Sequence, residues 1–525
     1  MIKIFLILKS VFLTFSNLII GESNKYNWII LKEGFIMQNT LTSELPRIIY
    51  AEASVHSIGG QSIFTTSKNI TSATVEKFYS DKSKIQNAVE KLKKHGFRVL
   101  NVGETSISIA ASPLTFEKVF HTKIVAKELK VPEITGQTST TILDSINSNM
   151  LGLIDTKNSD LADVLEGIAI NEKAILHTPS MENIENTNTS GIISPNPPKK
   201  DYYYLEPPHD LIKLLLAKEA HDIGITGKGI KVVMVDSGFY RHPFFLTRQY
   251  HINSVILGPD TFEPIHDETG HGTGCAANIF SLAPEVDLTV VKMNMFMAMG
   301  AFEKAVEQNP DIITCSWGFP TPPNALTAQQ TIFAVKIADA VKKGITVIFA
   351  SGNGGQPFPG MHPDVISVGG VFVAKDGSME ATPFASGYKS EIYQNRQVPD
   401  ICGLCGLPPI AAYIMLPVDP DEKYDRERAE IKYPLGDETS PSDGWAAFSG
   451  TSTAAPQIAG ICALLKQVNK KLTPLQLRDI LKETARDVIK GHSQQNNPAQ
   501  PGHDVATGFG LVNASKAVEV AKSMQ

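Results

Sequence analysis

Apolar positions along the chain fall into two regimes. Between about residues 45 and 127 they recur in short units that predict strand, helix, strand, strand, helix, strand. Ile85, Val89 and Leu92 share one helical face, and Gly96, after the basic turn Lys93-Lys94-His95, ends that helix. Ser112-Pro113 supplies the cap and first residue of a second helix, whose apolar side is Phe116, Val119 and Phe120. Phe97 to Val102 and Ser106 to Ala110 read as strands between them. Two helices over one small antiparallel sheet make an independent α+β unit. Beyond residue 127 the pattern fades, with one more short element expected within Leu161 to Leu176.

From about residue 208 the pattern changes to continuous apolar runs separated by helical spacing. Ile230 to Val235, Leu288 to Val291, Ile312 to Cys315, Ile345 to Ala350 and Val365 to Val368 read as strands covered on both faces, as in a parallel sheet. Ile332, Val335, Ala338 and Val341 mark a helix that stops at Gly344, and Thr473-Pro474 caps another carrying Leu477 and Leu481. This half is expected to be an open α/β sandwich around a mostly parallel sheet, with its site beyond the carboxyl ends of the strands. Residues 178–207 between the two regimes are rich in Asn, Ser, Thr and Pro and read as an exposed linker open to proteolysis. The expected organisation is therefore 37–177 as the α+β unit, 178–207 as linker and 208–525 as the α/β domain.

At 525 residues, 42% hydrophobic and 19% charged, the chain has material for more than one core. A formal net charge of -6 leaves no broad basic footprint, which excludes nucleic acid as an expected partner. Five cysteines are too few for a disulfide framework. Cys275, Cys315 and Cys462 lie in small or apolar runs and read as buried hydrophobes. Cys402 and Cys405 have the spacing of half a metal site, but without a second pair they read as loop cysteines, free or bonded to each other.

Residues 1–36 open with Lys3 and Lys9 and an uncharged run from Ser10 to Ile20, the outline of a secretory signal, so an extracellular location is expected. Ile19 departs from the small residue a cleavage site prefers, and Met37 offers an alternative start that would leave the protein cytoplasmic. No other run is long and apolar enough to span a bilayer, so no membrane span is expected in the mature form.

Four segments carry candidate chemistry. Asp236 ends the strand Lys231 to Val235, where a carboxylate can face a cleft, although alone it would read as a turn cap. His271 sits in Gly270-His271-Gly272-Thr273-Gly274-Cys275, whose small residues allow close approach of another segment. Ser452, in Gly450-Thr451-Ser452-Thr453-Ala454-Ala455-Pro456, precedes an apolar helix. It is placed at the positive end of that helix beside free N–H groups, with Pro456 expected in the first turn. Asn353, in Ser351-Gly352-Asn353-Gly354 after the strand Ile345 to Phe349, can aim an amide N–H into the same cleft, as a carbonyl oxyanion requires. Each segment has an ordinary reading as a cap or turn; four in this order do not.

The order Asp, His, Ser is that of subtilisin-type triads. Val235-Asp236-Ser237-Gly238, His271-Gly272-Thr273-Gly274, Ser351-Gly352-Asn353 and Gly450 to Pro456 resemble the four signature segments of the subtilisin-like serine protease (subtilase) family. Gly508-Phe509-Gly510-Leu511-Val512-Asn513-Ala514 resembles its closing segment, so the likeness covers roughly residues 208–525. The resemblance implies a serine endopeptidase acting on polypeptides, with Ser452 as nucleophile, His271 as base, Asp236 as its orienting carboxylate and Asn353 as oxyanion donor. It also implies that Ser316-Trp317-Gly318, together with Ser351 and Gly352, lines the substrate, the backbone of the former pairing with an extended peptide. Thr453 stands where the family more often has Met. The N-terminal unit resembles the propeptides of subtilisins and sedolisins, which implies an intramolecular chaperone and inhibitor. Sedolisins place carboxylates where this chain has His271 and Asn353, which argues against an acid peptidase.

No cofactor is required for such chemistry and no metal ligand is assigned. A structural calcium ion lacks support, since no Asp-x-Asp-x-Asp-Gly loop is present. The charged stretch Asp419 to Arg428 is expected to be solvated surface.

Overall fold

The computed structural model describes residues 28–31, 34–37, 45–133, 136–176, 193–407 and 413–525. Trp28–Leu31 and Gly34–Met37 pair as an antiparallel hairpin, and the rest of the expected secretory segment lies outside the described residues.

Within residues 46–525, the N-terminal unit is built on a five-stranded antiparallel sheet. Its order is Arg98–Val102, Ser106–Ala111, Ile49–Val55, Leu165–Ile170, Leu153–Ile154. The two expected helices are Lys82–Lys94, capped by Asp81, and Pro113–Phe120, capped by Ser112. Phe97, Phe116 and Phe120 meet in one aromatic cluster with centroids 5.0–6.5 Å apart, which fixes the second helix beside the turn after the first. Where the pattern faded, the chain forms a ten-rung hairpin, Ile124–Glu133 with Gly136–Ser145.

The larger part contains an eight-stranded sheet. Six parallel strands run in the order Ile256–Leu257, Asp287–Lys292, Lys231–Asp236, Ile312–Cys315, Thr346–Ala350 and Ile366–Val373. Ile401–Leu404 joins parallel to the last of these, and Met379–Ala381 pairs with it antiparallel. Helices cover both faces, so the central strands Ile312–Cys315 and Thr346–Ala350 are buried throughout, and Lys231–Asp236 is buried after its first residue. Register aligns Val235 with Cys315 and Cys315 with Phe349. Asp236, Ser316 and Ser351 consequently emerge together at the carboxyl edge of adjacent strands.

The two parts share a core. Ile63, Ile70, Val75 and Phe78 pack with Phe302, Phe333 and Val335 from the helices Ala298–Val306 and Ala328–Lys342. Polar groups buried in this contact are matched. Lys336 reaches Glu303 and the Ser106 hydroxyl (2.7 Å), with Glu52 at 3.4 Å. Glu172 accepts from Thr327 and Gln330, the two residues of a capping box at the start of Ala328–Lys342; burial pushes its carboxyl up to about 7 against those two bonds.

Two expectations need correction. Residues 193–207, read as exposed linker, pack on the larger part. Leu205 is buried and its N–H donates to the Tyr413 carbonyl, Tyr202 stacks on Tyr433 at 4.4 Å, and Trp445 donates to the Ser194 carbonyl. Three tyrosines and a leucine supply the apolar surface that the Pro and Asn content obscured. The charged stretch 419–428 is likewise only in part solvated: Asp421 and Lys423 are exposed, but Asp419, Tyr424, Asp425, Glu427 and Arg428 are buried. Its charges satisfy backbone groups, Asp425 accepting from Asp421 N–H (2.8 Å) and Arg428 donating to the Ala447 carbonyl (3.1 Å). No helix among the described residues is long and apolar enough to cross a membrane.

Candidate active site

Asp236 is the last residue of its strand and His271 the first of the helix His271–Leu282. They come together because Gly272 lies against the turn after Asp236; a Cβ there would fall 2.2 Å from the Gly238 carbonyl oxygen. His271 Nδ1 and Asp236 Oδ1 are 2.7 Å apart, and the Ser237 N–H also donates to Oδ1 at 2.8 Å. Burial disfavours a charged imidazole, but the adjacent Asp236 carboxylate outweighs it and holds the His271 pKa well above the ordinary value. Cys275, one turn along the same helix, brings its sulfur 3.7 Å from Nδ1. Burial pushes that thiol up, so it stays protonated and Asp236 is the anion that matters.

Ser452 is the second residue of the helix Thr451–Val468, beyond the left-handed Gly450. Pro456 sits at the sixth helical position, not in the first turn as expected. Lacking an N–H, it leaves the Ser452 carbonyl without its helical bond. That carbonyl instead accepts the Ser316 hydroxyl (2.9 Å) and the Cys275 thiol (3.5 Å), which ties the serine's helix to the histidine's helix and to the end of a sheet strand. In return the Ser452 hydroxyl donates to the Ser316 carbonyl at 3.0 Å. Among the described residues His271 Nε2 is buried without a hydrogen-bond partner. Asp236, His271 and Ser452 are each 0% exposed.

Asn353 belongs to the same cluster. Its amide oxygen accepts from the Thr451 N–H (3.0 Å) and hydroxyl (3.1 Å), fixing the side chain on the residue before Ser452. Gly352 beside it has φ +107°, and a Cβ would meet Pro357 at 2.4 Å, so the turn that presents Ser351 and Asn353 requires glycine. Ser351 is buried at the end of its strand, its N–H donating to the Val368 carbonyl.

Of the expected substrate-lining residues, Trp317 turns its indole inward, where Nε1 donates to the Val235 carbonyl at 2.8 Å. Its backbone faces outward and pairs, with Gly318, against the N-terminal unit: Ile175 lies opposite Gly318 and Leu176 opposite Trp317, antiparallel.

Two features of the site escaped the sequence reading. Cys275 read only as a small hydrophobe, although its i+4 spacing from His271 places both on one helical face. Tyr424, from the charged stretch, is buried with its ring 6.1 Å from the imidazole and 5.1 Å from Phe448. Nothing in a charged run announces that contact.

Asp236, His271 and Cys275 are also the one group among the described residues whose atoms lie close enough, within 4.8 Å, to suggest a metal. Nδ1 in this group is engaged by the Asp236 carboxylate at 2.7 Å. Cys402 and Cys405 form no pair. Cys402 lies in a strand, not a loop, and donates to the Thr507 carbonyl (3.3 Å), while Cys405 donates to the Gly450 carbonyl (2.8 Å).

The model of the subtilase family matches residues 227–510. M-protease of Shouchella clausii (strain KSM-K16) is 27% identical over 329 residues, covering 58% of this chain and 68% of that protein. Subtilisin BL of Lederbergia lenta is 27% identical over 329 residues and is covered to 97%, and subtilisin E of Bacillus subtilis (strain 168) is 27% identical over 332 residues and covered to 70%. Among solved structures, fervidolysin from Fervidobacterium pennivorans, described as a keratinolytic enzyme related to subtilisin, superposes with a TM-score of 0.53 at 15% identity. That likeness, which speaks to fold, covers 90% of this chain and 61% of the fervidolysin chain. A family match running from before the strand of Asp236 to the closing Gly-Phe-Gly segment takes in more than half of the molecule, and with it the chain belongs to the subtilases, the subtilisin-like serine endopeptidases.

Proposed function

We propose that the enzyme cleaves polypeptides through a triad of Asp236, His271 and Ser452 with Asn353 as oxyanion donor, and that it is made as a precursor inhibited by its own N-terminal unit. The observation that carries the triad is the buried 2.7 Å contact between Asp236 and His271 Nδ1, which leaves Nε2 as the nitrogen able to take a proton. Ser452 exchanges the Ser316 carbonyl for Nε2 when it attacks, and the alkoxide forms at the positive, N-terminal end of its helix. No cofactor takes part. A fluorophosphonate probe tests this: it should label Ser452 and fail to label Ser452→Ala, whereas active wild-type protein that never labels would remove the reading.

Asn353 stabilises the tetrahedral oxyanion through its amide nitrogen. Asn353→Ala is expected to lower kcat by about a hundred- to a thousand-fold with KM little changed. Steady-state kinetics on a peptide amide checks it; a loss below threefold would assign the donor elsewhere.

Support for the inhibitory role comes from the pairing of Ile175–Leu176 with Trp317–Gly318, the segment that would receive substrate. A peptide held in that register and extended by one residue brings its next carbonyl to Ser316, whose own carbonyl accepts the Ser452 hydroxyl. Maturation is therefore expected between His177 and Thr178, separating the unit 37–177 from the residues that follow, of which 193–207 pack on the catalytic domain 208–525. The released unit would remain as inhibitor through its shared core until degraded. N-terminal sequencing of the active form should begin at Thr178, and fully active protein with residues 46–170 still covalently attached would refute the precursor scheme. Secretion, guided by residues 1–36, is part of the same proposal.

A further inference from the structure

A second buried carboxylate stands behind the first. Asp267 is wholly buried and uses both oxygens: Oδ1 accepts the Ser237 hydroxyl at 2.6 Å, and Oδ2 accepts the N–H and hydroxyl of Thr273, each at 2.7 Å. Thr273 is the third residue of the helix that begins with His271, and Gly270 before that helix offers no side-chain cap. Asp267 thus supplies the missing cap from outside the helix. The Ser237 hydroxyl is the other half of the arrangement. It accepts from the Thr269 hydroxyl (2.8 Å) and the Gly272 N–H (3.1 Å), and its single proton lies between Asp267 Oδ1 at 2.6 Å and Asp236 Oδ1 at 3.3 Å. The shorter contact takes the proton.

We propose that Asp267 is a positioning residue for the general base, acting through the Ser237 hydroxyl to lock the carboxyl end of the Asp236 strand onto the first turn of the His271 helix. The assignment rests on the triad reading above. Two effects follow. The angle and distance between Asp236 and His271 are set by the Asp267–Ser237 contact, because Ser237 follows Asp236 directly in the chain and Thr273 lies two residues after His271 in the same first helical turn. In addition, by taking the Ser237 proton, Asp267 spares Asp236 a hydrogen bond that would weaken it as the partner of the imidazolium.

Charged groups on every side belong in this picture. Asp236 faces Asp267 through Ser237. Asp419, from the segment after Pro417, accepts the Asp267 N–H at 2.8 Å and lies 3.3 Å from His266 Nδ1, with Glu422 adjoining. Lys292 pairs with Glu268 at 2.8 Å and donates to the His266 carbonyl. Cys275 and Tyr424 face the imidazole itself. Burial raises the Asp267 carboxyl, opposed by its bonds from Ser237 and Thr273.

The experiment compares Asp267→Asn, Ser237→Ala, the double variant and Ser237→Thr with wild type, each rate normalised to the sites labelled by a fluorophosphonate. Labelled, active wild type secures the triad reading independently. Asp267→Asn and Ser237→Ala should each lower kcat about tenfold with KM unchanged, and the double variant should lose no more than the worse single, because the two act as one unit. Ser237→Thr keeps the hydroxyl and should stay within about twofold of wild type. Removing the Asp267 charge disfavours the imidazolium, so Asp267→Asn should also move the acid limb of kcat/KM down by about half a pH unit. A merely structural role would reduce labelled sites without changing the rate per site or the limb. Wild-type kcat per labelled site in either single variant, or multiplying losses in the double, overturns the proposal. If Asp267→Asn does not fold, Ser237→Ala against Ser237→Thr decides alone: equal rates for those two reject it.

Discussion

Alanine at Ser452 or at His271 is expected to lower turnover by about a million-fold, the magnitude known for subtilisin when either group is removed, and the pair together should lose no more. Non-additivity follows from the division of labour. A hydroxyl without its base is a poor nucleophile, and a base without the hydroxyl has nothing to activate, so either deletion leaves only oxyanion stabilisation and binding. Cys275, whose sulfur lies near both helices, offers no replacement nucleophile: burial pushes its thiol up and keeps it protonated. The pH profile of the wild type should carry the mark of His271. Its folded pKa is raised by Asp236, and it must be neutral to accept the serine proton, so kcat/KM should rise as pH climbs through that raised value. An optimum below about pH 4 would instead point to a carboxylate base. Initial rates on a peptide amide, measured to the background of uncatalysed hydrolysis, check the substitution; a loss under tenfold at either position would mean that another group performs its role.

The catalytic half was legible because its signals are local. A strand covered on both faces has no alternation to hide it, and Val232 to Val235 or Thr346 to Ala350 can be little else. The candidate site was legible for a related reason, since Gly272 and Gly352 are positions where a Cβ would collide, and such glycines cluster beside the chemistry. What stayed hidden depends on partners far along the chain. The hairpin Ile124–Glu133 with Gly136–Ser145 is polar on both edges and carries Pro132, so its sequence resembles a loop until its two strands are set against each other. Glu172 and Lys336 are charges that side-chain type alone would place at the surface, and only the docking of the N-terminal unit brings Glu172 to the Thr327 hydroxyl and Glu52 to Lys336, which permits their burial. Tyr424 is the same case at the site itself: the charges flanking it find backbone partners, and its ring is left to pack on the imidazole.

Asp236→Asn should cost about ten-thousand-fold in kcat, less than losing the serine or the histidine yet more than losing the oxyanion donor. Asp236 Oδ1 accepts from both the Ser237 N–H and His271 Nδ1. An asparagine oxygen in that place keeps both bonds but brings no charge, so the imidazolium that forms during attack loses its counter-ion in a site from which water is excluded. An asparagine nitrogen there donates to Nδ1 and drives the ring proton to Nε2, the nitrogen that must accept from Ser452. Either orientation disables the base without touching the nucleophile or the substrate strand. KM should therefore stay within a few-fold of wild type, and Ser452 should still react with a fluorophosphonate, only slowly. Side by side, labelling rate and kcat should fall together in Asp236→Asn, while residual labelling in Ser452→Ala is nil. A variant that keeps more than a tenth of the wild-type kcat would show that the buried 2.7 Å contact is structural and that His271 finds its orientation elsewhere.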